Sequence, residues 1–175
     1  MRTRNRRHGL TLNDVTLINV NFSLSPSLIS GQVDAVIGAF RIFELNQMNI
    51  VGRPGRAFFI EEEGVPSYDE LILVAHADKL SDPRLRHLID AIEKGTQFLI
   101  NHPDESWKLF LRGRGELDDE LNKHAWRDTL RRFALRPAAL DGARYARFAK
   151  FLAHHGMIKS ARAVSDHAIE LALVE

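Results

Sequence analysis

One stretch limits the possible folds of this 175-residue chain more than any other: Val15 to Glu44, VTLINVNFSLSPSLISGQVDAVIGAFRIFE. Val15 to Val20 is rich in β-branched side chains and reads as a strand. Asn21 to Ser25 turns the chain. Ser25-Pro26 offers a hydroxyl cap and then a proline at the first helical position, and Gly31 suits the end of a short helix over 26–30. Asp34 to Ala39 is a compact apolar run of the kind that a sheet covers on both faces. Strand, helix and strand at this spacing predict a βαβ unit with parallel strands. Ligands of open α/β sheets collect at the carboxyl ends of such strands, here Asn21-Phe22-Ser23 and Phe40 to Glu44.

The rest of the chain changes character once. Arg56 to Ile60 and Asp69 to Ala75 read as further short strands, separated by the Glu61 to Pro66 loop. From about Lys79 onward helical periodicity takes over. Asp82-Pro83 opens a helix running to about Asn101, and His102-Pro103 restarts one that buries Trp107, Phe110 and Leu111. Asp118 is placed to cap a third helix. A fourth starts near Asp141, with Tyr145, Phe148 and Leu152 along one side and Gly156 at its end. Residues 160–175 read as a partly helical tail. The expected class is α/β, with parallel strands followed by a helical second half.

Glu44 is the leading candidate for chemistry. It is a carboxylate just past a strand, flanked by Phe40 and Phe43. Such a group accepts charge-assisted hydrogen bonds from a polar heterocycle while an aromatic neighbour covers the ring face. The competing reading makes Glu44 a helix-start residue that satisfies backbone donors. Asn21 and Phe22 present an amide and a stacking face at the other strand end; their alternative is an Asn/Ser-rich turn with a core phenylalanine.

Several classes find no support. The chain has no cysteine, which excludes thiol catalysis and thiolate metal sites. Its eight histidines are scattered, without an HxxxH or HExxH pattern, and Glu61-Glu62-Glu63 cannot converge on one ion, so no metal site is expected. No Gly-x-Ser-x-Gly elbow, phosphate-binding loop or dinucleotide fingerprint is present, and no cofactor is expected. A net charge of +1 gives no footprint for nucleic acid. No run reaches the ~20 apolar residues of a membrane helix. The start, residues 1–13, is basic but lacks the apolar core of an export signal.

The runs SGQVDAVIGAFRIFE and EEEGVPSYDELILVA resemble the substrate-binding proteins of ABC importers for thiamine-pyrimidine precursors, a superfamily shared with thiamine pyrimidine synthases. The resemblance covers roughly Asp14 to Asp128. It implies a periplasmic-binding-protein-like, two-lobed fold of type II, of which this chain is the C-terminal portion. Residues 1–39 would close the second lobe, 40–48 would form the hinge and cleft, and 49–175 would belong to the first lobe. It implies a pyrimidine of the formylaminopyrimidine or hydroxymethylpyrimidine type held by Glu44, with Phe40, Asn21 and Phe22 lining the cleft. It also implies a membrane permease as partner and a periplasmic location for the full-length protein. Two alternatives stand beside it. One is a synthase-like biosynthetic enzyme, disfavoured because this chain lacks the cysteine-rich iron-binding segment of those enzymes. The other is a non-functional truncated remnant.

Overall fold

The computed structural model describes Gly9 and residues 11–171; of the basic leader 1–13, residues 1–8 and 10 lie outside the described residues, as do 172–175 of the tail. The described chain forms α1 (Leu24–Ile29), α2 (Glu44–Ile50), α3 (Pro83–Asn101), α4 (Pro103–Phe110), α5 (Glu120–Leu130) and α6 (Gly142–His154). Single 3-10 turns lie at Leu12–Asp14, Ala77–Lys79, Gly115–Leu117 and Val164–Asp166.

No strand and no sheet occurs among the described residues, which overturns the expected parallel-sheet α/β class. Residues 15–20, 34–39, 56–60 and 69–75 have strand-like composition, but none pairs with another. The physical reason lies in where the backbone bonds go. A helix satisfies its amides and carbonyls within its own residues, whereas a strand must find both on a neighbour. Apolar, β-branched composition favours a covered strand without supplying the cover.

The helices start where their side chains satisfy the first amides. The Asp82 carboxylate accepts the Arg84 amide ahead of α3, at 3.0 Å. Asp141 accepts the Arg144 amide at the start of α6, at 2.9 Å. The cap of α5 is Asp119, which accepts the Asn122 amide at 2.7 Å, one residue later than the expected Asp118. Helix α1 starts earlier than expected. Ser23 stands at its cap position without a side-chain bond, and Ser25 lies inside the helix, 1% exposed, with no partner for its hydroxyl among the described residues.

Three helices end on glycine in the left-handed region. After α6, Gly156 has φ +67°; its amide reaches the Ala153 carbonyl at 3.0 Å and the Met157 amide reaches Leu152 at 2.9 Å. This paired closure satisfies two terminal carbonyls and suits a residue without a Cβ. The same closure follows α1 at Gly31 and α2 at Gly52.

The chain divides into two compact units. One comprises Thr16–Ala57 and Thr96–Ala134. In it α2 packs against α1 and α5. Asn46 of α2 ties that packing together: its side-chain amide donates to the Ile42 carbonyl at 2.9 Å and to the Asp128 carboxylate of α5 at 2.8 Å. Trp107 and Phe110 of α4 meet Trp126 of α5, with ring centroids 5.4 Å and 5.5 Å from Trp126.

The other unit comprises Met1–Val15, Phe58–Gly95 and Leu135–Glu175. Here α6 packs against the Val164–Asp166 turn. Tyr68 stacks on Phe148 of α6 at 4.6 Å, and Asp69 pairs with Arg144 of the same helix.

Neither unit fully buries an apolar side chain among the described residues. The buried positions are Ser25, Ser27, Thr96 and Ser106.

Candidate functional site

The residues expected to carry chemistry fall in the Thr16–Ala57, Thr96–Ala134 unit. Residues 16–20 run without regular structure into a tight turn in which the Ser23 amide bonds the Val20 carbonyl at 2.9 Å. Asn21 sits at the corner with φ +51°, the one non-glycine residue in the left-handed region among those described. Asparagine tolerates this region better than most residues. Its amide donates to the Asn19 side-chain oxygen at 2.9 Å, which fixes the turn. Phe22 is 101% exposed, so it is no core residue.

At the second expected strand end, residues 40–43 form a turn that leads into α2. Glu44 is the first residue of that helix and is half-buried. Its Oε2 accepts the Phe40 amide at 2.6 Å. A carboxylate in the first turn also complements the positive end of the helix. Glu44 therefore does serve a backbone donor. Its Oε1 takes no hydrogen bond among the described residues, and an ionised carboxylate has capacity for several more. The contact fixes the carboxylate against the segment that carries the half-exposed Phe40 ring.

Glu44 and Phe40 are thus brought together. No hydrogen bond or ring contact joins either to Asn21 or Phe22 among the described residues. The helices that follow the two turns, α1 and α2, do pack on each other.

The other unit holds a feature that sequence reasoning missed. A cavity of about 610 Å³ lies beside α6, lined by Tyr68, Ile72, Tyr145, Phe148 and Leu152, with Lys159, Arg162 and His167 among its polar members. Tyr145, Phe148 and Leu152 were legible as a helical stripe, but a stripe reads as core when nothing shows that its facing side is open. Two of the lining cations, Arg144 and Arg162, have carboxylate partners. Arg144 is held by Asp69 and lies 3.5 Å from Asp141, and Arg162 lies 3.5 Å from Asp166. Hydrogen bonding to Asp69 raises the Arg144 pKa, while burial, reinforced by the Asp69 charge, raises that of the Tyr145 phenol.

No group of three or more histidine, aspartate or glutamate side chains is placed to hold a metal ion among the described residues. No helix among them is long and apolar enough to cross a membrane.

Comparison of the sequence with known proteins finds relatives and a family. The chain is 48% identical over 164 residues to a Haemophilus influenzae protein that bears a thiamine biosynthesis name; the match covers 93% of this chain and 52% of that protein. It is 29% identical over 118 residues to the formylaminopyrimidine-binding protein of Halalkalibacterium halodurans, covering 66% of this chain and 36% of that one. The chain thus spans about half the length, or less, of these curated relatives. The family described as NMT1/THI5 like matches residues 1–106, a stretch that includes Asn21, Phe22, Phe40 and Glu44. The chain belongs to the NMT1/THI5-like family.

Proposed function

We propose that this chain forms part of a binding protein for an aminopyrimidine precursor of thiamine, with Glu44 as the anchor. The observation that carries the reading is the Glu44 carboxylate, held through one oxygen by the Phe40 amide, with no hydrogen bond to the other among the described residues. That other oxygen accepts an exocyclic N–H of the pyrimidine, and the Phe40 ring covers the heterocycle from the side. Charge assistance makes such a bond about twice as strong as a neutral one. Asn21 and Phe22 line the same cleft. The name of the Halalkalibacterium halodurans relative supports formylaminopyrimidine as the ligand class.

In this reading residues 1–39 close one lobe, 40–48 form the hinge and cleft, and 49–175 belong to the other lobe. The ligand favours a closed state by its differential affinity and is handed to an ABC permease at the periplasmic face of the membrane. The Phe40 amide is a direct reporter, because its hydrogen bond to Glu44 senses any change at that carboxylate. Titration with formylaminopyrimidine, followed by amide NMR, is expected to shift Phe40 and the Asn21 side-chain amide together. Saturable binding that leaves both signals in place would remove Glu44 as the anchor.

A further inference from the structure

Two residues after Glu44, α2 carries a side chain that reaches back to the turn and across to another helix. Asn46 is half-buried. Its side-chain nitrogen donates to the Ile42 carbonyl at 2.9 Å and to the Asp128 carboxylate of α5 at 2.8 Å. A side-chain amide has two hydrogens to give, and these acceptors use both. Asp128 is half-buried as well.

The Ile42 carbonyl lies inside the turn that presents Glu44. Three bonds close that turn. The Phe43 and Glu44 amides both reach the Phe40 carbonyl at 3.1 Å, and Glu44 Oε2 accepts the Phe40 amide at 2.6 Å. The following carbonyls show where the helix takes over. That of Phe43 is met by the Gln47 amide, four residues on, at 2.8 Å. No backbone amide meets the Ile42 carbonyl among the described residues, and the Asn46 side chain stands in its place. Asparagine can serve a backbone carbonyl in this way where the regular helical bond is missing. Without it, the turn is left to its own three bonds.

The second contact fixes the first. Ordering a free asparagine side chain costs conformational entropy. The Asp128 carboxylate accepts its other hydrogen with charge assistance, so α5 clamps Asn46 in the rotamer that serves Ile42. Helices α2 and α5 pack on each other within one unit, which keeps the clamp in reach.

We propose that Asn46, braced by Asp128, is a positioning residue for the Glu44 carboxylate. The inference rests on the reading of Glu44 as the ligand anchor. Asn46 and Asp128 act through the turn and not by touching the ligand. They work as a unit, so losing either has nearly the effect of losing both.

The test uses the full chain, with and without formylaminopyrimidine. Amide exchange is the ligand-free readout. Asn46→Ala is expected to speed exchange at Phe40 about tenfold, the effect of losing one net hydrogen bond. The Val51 and Gly52 amides, bonded at the far end of α2, exchange as in wild type. A general loss of stability would instead speed all three alike. Asp128→Ala repeats the Phe40 effect, and the double variant adds little to it. Asp128→Asn keeps an oxygen for Asn46 and restores slow exchange. With ligand, Asn46→Ala and Asp128→Ala each bind about tenfold more weakly than wild type, while Asp128→Asn recovers most of the affinity. Wild-type exchange at Phe40 in Asn46→Ala, equal speeding at Phe40 and Val51, or undiminished binding by Asn46→Ala overturns the proposal. If the wild-type chain binds no formylaminopyrimidine, the anchor reading fails, and exchange at Phe40 alone supports or overturns the role of Asn46 in holding the turn.

Discussion

Glu44 closes the turn before α2 through one oxygen, which accepts the Phe40 amide, and the role proposed for the other oxygen can be tested separately. Both readings of this residue were legible in the sequence, because a glutamate after two phenylalanines at the start of a helix suits either. A second carboxylate shows how far a local partner can move a titration. Asp82 is held at about 2, below its ordinary 3.8, mainly by side-chain hydrogen bonds from Arg84 and then by the Arg84 amide. The folded value is depressed, so the stabilisation is complete above pH 3.8 and is lost as pH falls towards 2. Asp14 and Asp119, lowered chiefly by backbone amides of Thr11 and Asn122, act in the same direction. Carboxyl-carbon NMR is expected to show Asp82 titrating near 2, and Arg84→Gln to move it back towards 3.8. An unmoved midpoint would remove the guanidinium as the cause.

Among the elements, helices were readable and strands were not. Asp82-Pro83, His102-Pro103 and Asp141 mark helix starts that the structure keeps, since the capping groups and the helical bonds lie within a few residues of each other. Where two cap-competent residues adjoin, as at Asp118 and Asp119, sequence alone does not choose between them. The Val15–Val20 and Asp34–Ala39 runs have the composition of covered strands, but pairing is a property of the neighbour and is not written in the run itself. Asn46 belongs to a further group that no local pattern marks, because its partner Asp128 is 82 residues away. Asn46→Ala removes the link between α2 and α5 and is expected to cost about 1 kcal/mol. Denaturant unfolding followed by tryptophan fluorescence reads this directly, since Trp107 and Trp126 lie in the same unit; an unchanged midpoint would mean that the bond contributes nothing net. Gly156→Ala forces a side chain into the left-handed region after α6 and is expected to cost about 1–2 kcal/mol, visible as faster amide exchange at Met157.

Considered as a whole, the molecule is organised by long-range sequence pairings that no linear reading anticipates. Residues 16–57 group with 96–134, and 58–95 group with 135–175. The family was legible from Asp34 to Glu44 and Gly64 to Ala75, which lie within the matched residues 1–106. The helices legible in the sequence were the short one near Pro26, which starts two residues earlier than expected, and those after Lys79. The central claim concerns what Glu44 does within this family, and calorimetric titration with formylaminopyrimidine tests it most directly. Titrations use the chain itself and the same chain grafted in place of the 164 matched residues of the Haemophilus influenzae relative. Glu44→Gln keeps an acceptor for the Phe40 amide but loses the charge and turns a donor towards the ligand's amino group. Loss of a buried charge-assisted hydrogen bond costs about 1.5–3 kcal/mol, so the variant is expected to bind roughly tenfold to a hundredfold more weakly than wild type. Equal affinity of Glu44→Gln and wild type, or no binding of formylaminopyrimidine by either form, would contradict it.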